Sequence, residues 1–182
     1  MDVQETAIPG CVKITPTRQT DARGSFVKTF HADTFAAQGL ETGFREEFVS
    51  TSVRGVLRGM HFQVPPAHHA KLVTCLAGKI LDVALDLRRG SPTYGEHLRI
   101  ELDAATPSSL YLAPGLAHGF LTLSDQAMVS YLVSTVHSPD HDTGVRWDSF
   151  ACPWPVDEPL LSERDAAHPP FERFDSPFRF AS

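Results

Sequence analysis

Along most of the chain, apolar and polar residues alternate over short distances, as they do in β-strands. Residues 71–77 and 80–87 show this pattern in part, and Gly78 and Lys79 between them are typical of a turn, so we predict a β-hairpin. Further strands are predicted at similar spacing, separated by residues that favour turns, and they cover residues 97–102, 109–112, 117–123 and 127–133. Many short strands at such spacing predict an all-β sandwich or barrel.

The two ends of the chain have a different character. Residues 12–15 and 24–30 are predicted to be edge strands, which a partner chain often covers in small β proteins, and residues 32–38 are predicted to form a short helix. The last part of the chain, residues 148–182, is rich in proline and acidic residues. We therefore expect it to be an irregular tail that wraps over the barrel, with one helical turn near residues 162–165.

The composition limits the class of protein. With 182 residues and a hydrophobic fraction of 42%, the chain is long enough for one domain with a full core and too short for two ordinary ones, so we expect a single domain over residues 1–182. It has no apolar run of membrane-spanning length, and its N-terminal residues lack the features of a signal peptide, so we expect a cytoplasmic protein. The formal net charge of −6 argues against nucleic acid or an anionic membrane surface as a partner.

The first question about the histidines is whether they bind a metal. Small β-barrels of the cupin type often bind a metal through a His-x-His pair, a glutamate and a later histidine, and Pro114, Gly115 and His118 have the spacing of that last part. The first part is missing, because His61 is followed by Phe and Gln, and the cation of Lys71 lies where a carboxylate ligand is expected. A divalent-metal site needs three or more neutral or anionic ligands, so we expect no catalytic metal.

His61, Lys71 and Tyr131 instead suggest proton transfer at a carbon next to a carbonyl. Such a carbon loses its proton only when a base is within reach and a cation or donor meets the enolate oxygen that forms. His61 can be the base because the ordinary pKa of histidine is near neutral, Lys71 can face the oxyanion, and Tyr131 can return a proton from the opposite face. Structural roles stay open, since a single core histidine, a tyrosine in an apolar strand and a lysine at a strand end often serve packing alone.

Several longer motifs resemble one enzyme family over nearly the whole chain. They lie at residues 21–26 (DARGSF), 55–61 (GVLRGMH), 71–73 (KLV), 82–88 (DVALDLR), 91–95 (SPTYG), 114–120 (PGLAHGF), 142–147 (DTGVRW) and 161–165 (LSERD), together with Tyr131. In this order and number, the motifs make the chain similar to the dTDP-4-dehydrorhamnose 3,5-epimerase family.

The resemblance implies an all-β, cupin-like jelly-roll sandwich or barrel with short helical segments near both ends, no catalytic metal and no cofactor. It implies an isomerase that acts on a nucleotide-linked 4-keto-6-deoxyhexose and works as a homodimer with shared N-terminal strands, here within residues 1–50. The catalytic positions carried over are the base His61, its orienting partner Asp165, the enolate stabiliser Lys71 and the acid Tyr131. The substrate contacts carried over are Arg23 and Arg58 at the diphosphate and sugar, Phe26 beside the nucleotide, and His118.

The chain departs from the family pattern where ligand contacts are expected. Glu46, Glu47 and Phe48 stand where a Gln-Asp-Asn stretch is usual, Lys28 where a glutamate is frequent, and Asp142 is a shorter carboxylate than usual. Unless the alignment is shifted here by one or two residues, these changes alter which groups a buried site can bind. The carrier nucleotide (dTDP, CDP or another) and the inversion of C3, C5 or both therefore stay open. A metal-dependent cupin and a plain sugar-nucleotide binding module remain as other classes.

Overall fold

The computed structural model describes residues 1–180, which form β-strands and a few short helices. The first strands are β1 (Asp2–Glu5), β2 (Cys11–Thr15), β3 (Arg18–Asp21), β4 (Gly24–Val27), β5 (Glu46–Val53) and β6 (Leu57–Gln63). They are followed by β7 (Lys71–Ala77), β8 (Lys79–Asp86), β9 (His97–Asp103), β10 (Ser109–Leu112), β11 (Leu116–Thr122), β12 (Gln126–Val133) and β13 (Asp142–Gly144). The helices are α1 (Ala32–Ala37) and α2 (Glu163–Ala166), with a 3-10 turn at Phe171–Arg173.

Two antiparallel sheets make up most of the fold. The larger sheet has the strand order β1-β2-β10-β7-β12-β5 and the smaller sheet the order β13-β6-β11-β8-β9, while β3 and β4 form a separate hairpin. This arrangement confirms the predicted all-β, cupin-like fold with short helical segments near both ends. No helix among residues 1–180 is long and apolar enough to cross a membrane.

The strands predicted on either side of Gly78 are present, but the prediction that they form a hairpin is wrong. β7 pairs with β10 and β12 in the larger sheet, whereas β8 pairs with β11 and β9 in the smaller sheet. The chain therefore crosses from one sheet to the other at Gly78, which has a φ of 75°. Glycine is required at this crossing, because an added Cβ would lie 2.1 Å from the carbonyl oxygen of Gln126.

The main core fills the space between the sheets. In β12 the alternate residues Ala127, Val129 and Tyr131 are buried, which is the pattern of a strand with one face on the core. These side chains belong to one cluster with Ala84 and Phe120 of the smaller sheet. The two sheets are thus held face to face by apolar packing, and residues that point inward from both sheets come close together.

Further clusters cover the outer faces of the sheets. Aromatic residues of the C-terminal tail, among them Trp154 and Phe174, pack against a buried cluster that includes Leu85 of β8. On the larger sheet, Phe35 of α1 is buried with Leu72 of β7. β8 therefore lies between the main core on one face and the cluster with the C-terminal tail on the other. This explains why its residues are buried in an almost continuous run rather than in alternation.

The N-terminal strands occupy different places from those predicted. Residues 12–15 do fall in a strand, but β2 lies inside the larger sheet, between β1 and β10, so the prediction of an edge strand is wrong there. The edges of the larger sheet are β1 and β5. The β3–β4 hairpin, in contrast, is largely exposed along both of its strands.

Candidate active site

A cavity of about 380 Å³ is lined by strands of both sheets. A volume of this size is in the range of small-molecule sites. The cavity brings together eight of the residues singled out in the sequence: Glu46, Phe48, Arg58, His61, Lys71, His118, Tyr131 and Asp142. Base, acid and cation candidates that are far apart in the sequence therefore face one space.

His61 of β6 forms a pair with Asp165 of α2. Its Nε2 atom lies 2.7 Å from Asp165 Oδ1, and the Gly59 N–H donates to Oδ2 at 3.3 Å. Burial alone raises the pKa of Asp165, but hydrogen bonds, above all from His61, outweigh this effect and lower the pKa below its ordinary value. An ionised carboxylate can only accept. The proton of neutral His61 is therefore on Nε2, and Nδ1 is left free to act as a base.

The position of Asp165 follows from the way α2 begins. Ser162 caps the helix, and its Oγ accepts a hydrogen bond from the Asp165 N–H at 3.1 Å. This cap fixes the first turn of a short helix and so fixes the direction of the Asp165 side chain. The helical turn predicted near residues 162–165 is thus the element that supplies the partner of His61.

Lys71 lies at the start of β7, in the sheet opposite His61. Its Nζ atom donates a hydrogen bond to the backbone carbonyl of His61 at 3.0 Å. Burial lowers the pKa of Lys71 to about 8, although the nearby carboxylates of Asp142 and Asp82 act against this effect. The ammonium group is therefore poorly solvated inside the cavity, where it interacts strongly with a negative charge that develops nearby.

Tyr131 reaches the cavity from β12, in the same sheet as Lys71. Its hydroxyl oxygen lies 3.2 Å from Ser50 Oγ on the neighbouring strand β5. Burial raises the pKa of Tyr131, so the hydroxyl group keeps its proton at neutral pH. Because His61 and Tyr131 come from opposite sheets, a proton acceptor and a proton donor lie on different walls of the cavity.

A second histidine–carboxylate pair lies deeper between the sheets. His118 of β11 is buried, and its Nε2 lies 2.8 Å from Oδ2 of Asp82, which is also buried. The ring of His118 is 5.9 Å from the ring of Tyr131 in an edge-on arrangement. Asp82 was missed as a site residue in the sequence, although a carboxylate within an apolar strand is a signal for a buried pair.

Polar groups line another part of the cavity wall. Asp142 forms an ion pair with Arg164 at 2.8 Å, and Glu46 accepts a hydrogen bond from the backbone N–H of His137 at 2.7 Å. Burial lowers the pKa of His69 to about 3, so this ring is neutral at physiological pH. This wall thus offers both charges together with neutral hydrogen-bonding groups for a polar ligand.

Four of the residues proposed as substrate contacts do not line this cavity. Arg23, Phe26 and Lys28 belong to the β3–β4 hairpin and the residue after it, which line separate surface depressions. Glu47 lies between two inward-facing residues of β5, and because strand residues alternate in direction its carboxylate instead accepts a hydrogen bond from Ser130 at 2.8 Å.

Several lining residues were not predicted from the sequence, namely Ser50, Gln63, His69, His137 and Arg164. Ser50 could have been found, because it is two residues from Phe48 on the same face of β5. His168, which lies beside the pair of His61 and Asp165, carries no such signal in the sequence. Its position depends on how the C-terminal tail folds back.

Comparison with known proteins identifies the family. The family model described as dTDP-4-dehydrorhamnose 3,5-epimerase matches residues 5–173. The dTDP-4-dehydrorhamnose 3,5-epimerase of Mycolicibacterium smegmatis is 43% identical over 172 residues, which is 93% of this chain and 85% of the relative.

Solved structures agree in fold. A dTDP-6-deoxy-D-glucose-3,5-epimerase from Legionella pneumophila in complex with dTDP-4-keto-L-rhamnose has a TM-score of 0.94 and 32% identity, covering 100% of this chain and 99% of the other. A 3′-monoepimerase from Streptomyces bikiniensis in complex with dTDP-quinovose has a TM-score of 0.86 and 35% identity, covering 91% and 86%. The chain therefore belongs to the dTDP-4-dehydrorhamnose 3,5-epimerase family and is an epimerase of the isomerase class.

Proposed function

We propose that the enzyme inverts C3 and C5 of a dTDP-linked 4-keto-6-deoxyhexose, in the manner of the conversion that yields dTDP-4-dehydrorhamnose. The observation that carries this proposal is the placement of His61 and Tyr131 on opposite sheets around one cavity that also contains the ammonium group of Lys71. Inversion of a carbon next to a ketone needs these three functions in one place.

The reaction proceeds through an enolate. Nδ1 of His61 takes the proton from the carbon next to the C4 ketone, and the electron pair of the broken C–H bond moves to form the enolate oxygen. Lys71 stabilises this oxyanion. The Tyr131 hydroxyl group then gives its proton to the opposite face of the carbon. His61 releases the abstracted proton to water and Tyr131 takes up another, and the same sequence at the second carbon then completes the double inversion. Because Lys71 supplies the positive charge, the proposed reaction uses neither a metal nor another cofactor.

The other cavity residues hold the substrate. We assign His118, supported by Asp82, to a polar group of the sugar, and Arg58 to the diphosphate. The Nε of Arg58 donates to Ser52 at 3.0 Å, which fixes the guanidinium group while other N–H groups remain for an anion. Glu46, Phe48 and Asp142 line the same space and set its selectivity.

A homodimer is part of the proposal, because three expected ligand contacts lie outside the cavity of a single chain. The Arg23 side chain is 90% exposed and Phe26 is 61% exposed. In the dimer, the β3–β4 hairpin of one protomer brings these residues and Lys28 to the cavity of its partner. Exposed apolar side chains on the larger sheet provide a contact surface for the partner: Val49, Val53 and Met128.

We also assign the protein to the cytoplasm. Cys11, Cys75 and Cys152 are all free thiols in the described part of the chain. Reduced cysteines are the usual state in the cytosol, whereas exported proteins more often use disulfides.

Proton NMR in deuterium oxide tests the function directly. The purified protein is mixed with dTDP-4-keto-6-deoxyglucose and, in parallel, with its CDP analogue, and the C3 and C5 proton signals are followed. Loss of both signals with the dTDP sugar supports the double epimerase, and the comparison identifies the carrier. Loss of the C3 signal alone means a mono-epimerase, the second candidate, which the similarity to the Streptomyces bikiniensis enzyme supports. Retention of both signals with both sugars contradicts the proposal.

A further inference from the structure

A third titratable side chain lies next to the pair of His61 and Asp165 and has no part in the proposed reaction. It is His168, whose side chain is only 8% exposed. Its Nε2 atom is buried and has no hydrogen-bond partner among residues 1–180. The same atom lies 3.8 Å from Asp165 Oδ1, and the His168 ring stands edge-on to the His61 ring at 5.6 Å. A buried nitrogen without a partner is costly, which indicates that a ligand can satisfy it.

The three side chains present the donor set of a transition-metal site. One ring nitrogen each of His61 and His168 and one carboxylate oxygen of Asp165 all lie within 4.8 Å of one another. Zinc binds imidazole nitrogen and carboxylate oxygen at about 2.0–2.2 Å, so neighbouring ligands in a tetrahedral site are roughly 3.3 Å apart. The distances of 2.7 Å and 3.8 Å from Asp165 Oδ1 to the two rings lie on either side of this value.

The surroundings favour such a site. The second oxygen of Asp165 accepts the Gly59 N–H, and hydrogen bonds of this kind orient metal-binding carboxylates. Gly144 leaves the room that the His168 ring occupies, because a Cβ at this position would lie 2.6 Å from His168 Nε2. The His61 side chain is 28% exposed, so solvent reaches this group of residues.

We infer that His61, Asp165 and His168 form a binding site for a divalent transition-metal ion, with Zn²⁺ the best fit, and that the bound ion inhibits the enzyme. This site differs from the catalytic metal centre considered in the sequence, which would use His118. The metal takes the lone pair of His61 Nε2, so the ring proton resides on Nδ1. The nitrogen that accepts the substrate proton is then occupied, and metal binding and catalysis exclude each other. The inhibition rests on the proposed function of His61, whereas binding of the ion does not.

Metal binding is measured first, without any substrate. Co²⁺ is added to the metal-free protein and its visible absorption is recorded, and Zn²⁺ affinity is measured by calorimetry. The wild type is expected to bind one ion per chain, and His168→Ala and His168→Gln to bind at least about 100-fold more weakly, because each lacks one of three protein ligands. His68→Ala removes an exposed histidine and should bind as the wild type does. Equal affinity of the wild type and both His168 variants, or no binding to the wild type, overturns the site.

Inhibition is tested on the same variants by deuterium incorporation into dTDP-4-keto-6-deoxyglucose. Rising Zn²⁺ should abolish exchange in the wild type, and a chelator should restore it, whereas His168→Ala should keep its basal rate at the same concentrations. A bound ion that leaves the wild-type rate unchanged overturns the inhibition. If the wild type catalyses no exchange even without metal, the proposed function has failed, and the Co²⁺ spectra still decide whether the site exists.

Discussion

The ring of Phe48 stacks on the ring of Tyr131, with their centres 4.6 Å apart and their planes inclined by 15°. The two residues are direct partners in the pairing of β5 with β12. Phe48 is 44% exposed and lines the cavity. It therefore does not belong to the buried core, and its position is explained by its contact with Tyr131. Together with the hydroxyl contact to Ser50, the stack fixes both the plane and the hydroxyl direction of Tyr131.

Replacing Phe48 by Asn should slow inversion more than it slows proton abstraction. Aromatic stacking contributes about 0.5–1.5 kcal/mol beyond the area buried, so the inversion rate should fall roughly 2- to 10-fold, while deuterium exchange at the first carbon changes less. Phe48→Leu keeps an apolar side chain without the ring and separates stacking from polarity. Equal loss of exchange and inversion in Phe48→Asn would show that the stack does not act through Tyr131.

Tyr131→Phe removes the proposed acid while keeping the ring. We expect solvent deuterium to enter the sugar, because His61 and Lys71 remain, but inversion to be largely lost. The product is analysed by NMR for label and configuration. Tyr111→Phe is the matched control, since Tyr111 is also buried in the larger sheet but its hydroxyl group accepts from the Glu41 N–H at 3.3 Å outside the cavity. Full inversion by Tyr131→Phe would rule out its role as the acid.

Asp165→Asn should leave the fold intact and reduce turnover strongly. An amide can donate to the His61 ring and so favours the tautomer with its proton on Nδ1, which cannot act as the base. Loss of a comparable orienting carboxylate costs roughly 10³- to 10⁴-fold in turnover. The exposed Asp125, which pairs with Arg54, provides the control variant Asp125→Asn with a normal rate. A normal rate in Asp165→Asn would remove this residue from the site.

Lys71→Met should reduce activity strongly and stabilise the fold. The ammonium group is buried, and holding a charge out of water costs free energy; a gain of 1 kcal/mol would raise Tm by about 2–4 °C for a chain of this size. Turnover should fall at least about 100-fold without the cation. Lys13→Met, in strand β2, is the control for the change of residue type. Substantial turnover in Lys71→Met would contradict enolate stabilisation by this residue.

Asp86 stabilises the fold through a buried ion pair. It accepts hydrogen bonds from Arg88, Ser91 and Thr93 at 2.6–2.8 Å. Burial alone raises the pKa of Asp86, but these hydrogen bonds outweigh it and hold the pKa below its ordinary value. The unfolded chain therefore binds the proton more readily, so this stabilisation is complete above the unfolded pKa of about 3.9 and is lost as the pH falls through the lower folded pKa.

Asp86→Asn should lower the free energy of unfolding by about 3–5 kcal/mol at pH 7, because it leaves Arg88 buried without its counter-ion. Denaturant unfolding between pH 3 and pH 7 measures the difference from the wild type. The difference should be constant above about pH 5 and should shrink below about pH 4. Asp125→Asn removes an exposed ion pair and should change the free energy of unfolding by less than about 1 kcal/mol at every pH. A difference that grows in acid would contradict the assignment.

The sequence contains enough information for most strands but not for their pairing. Residues 71–77 and 109–112 were predicted as strands with the bounds that the structure has, because alternation and turn residues are local properties. Whether the chain turns back at Gly78 or crosses to the other sheet depends on which surface each strand buries. That is decided by residues far away, such as the aromatic residues of the tail that cover β8.

The same division applies to the site. His61, Lys71 and Tyr131 carry chemical types that suggest proton transfer, and the family resemblance adds Asp165, which lies 104 residues from His61. No local pattern predicts that distance. Neither residue chemistry nor the family resemblance predicts His168, because its position next to the pair results from tertiary packing around Gly144. In the proposed homodimer the substrate contacts of the β3–β4 hairpin come from a second chain, which one chain's sequence does not position.

His61 and Tyr131 are carried by different sheets, with apolar residues such as Val129 and Phe120 packed in the core between those sheets. The thickness of the sandwich therefore sets the distance between the proposed proton acceptor and the proposed proton donor. A core substitution that touches no substrate can change this distance and so let a carbon exchange its hydrogen without changing its configuration. Under the proposed mechanism, the stereochemical outcome depends on core packing as well as on the residues that line the cavity.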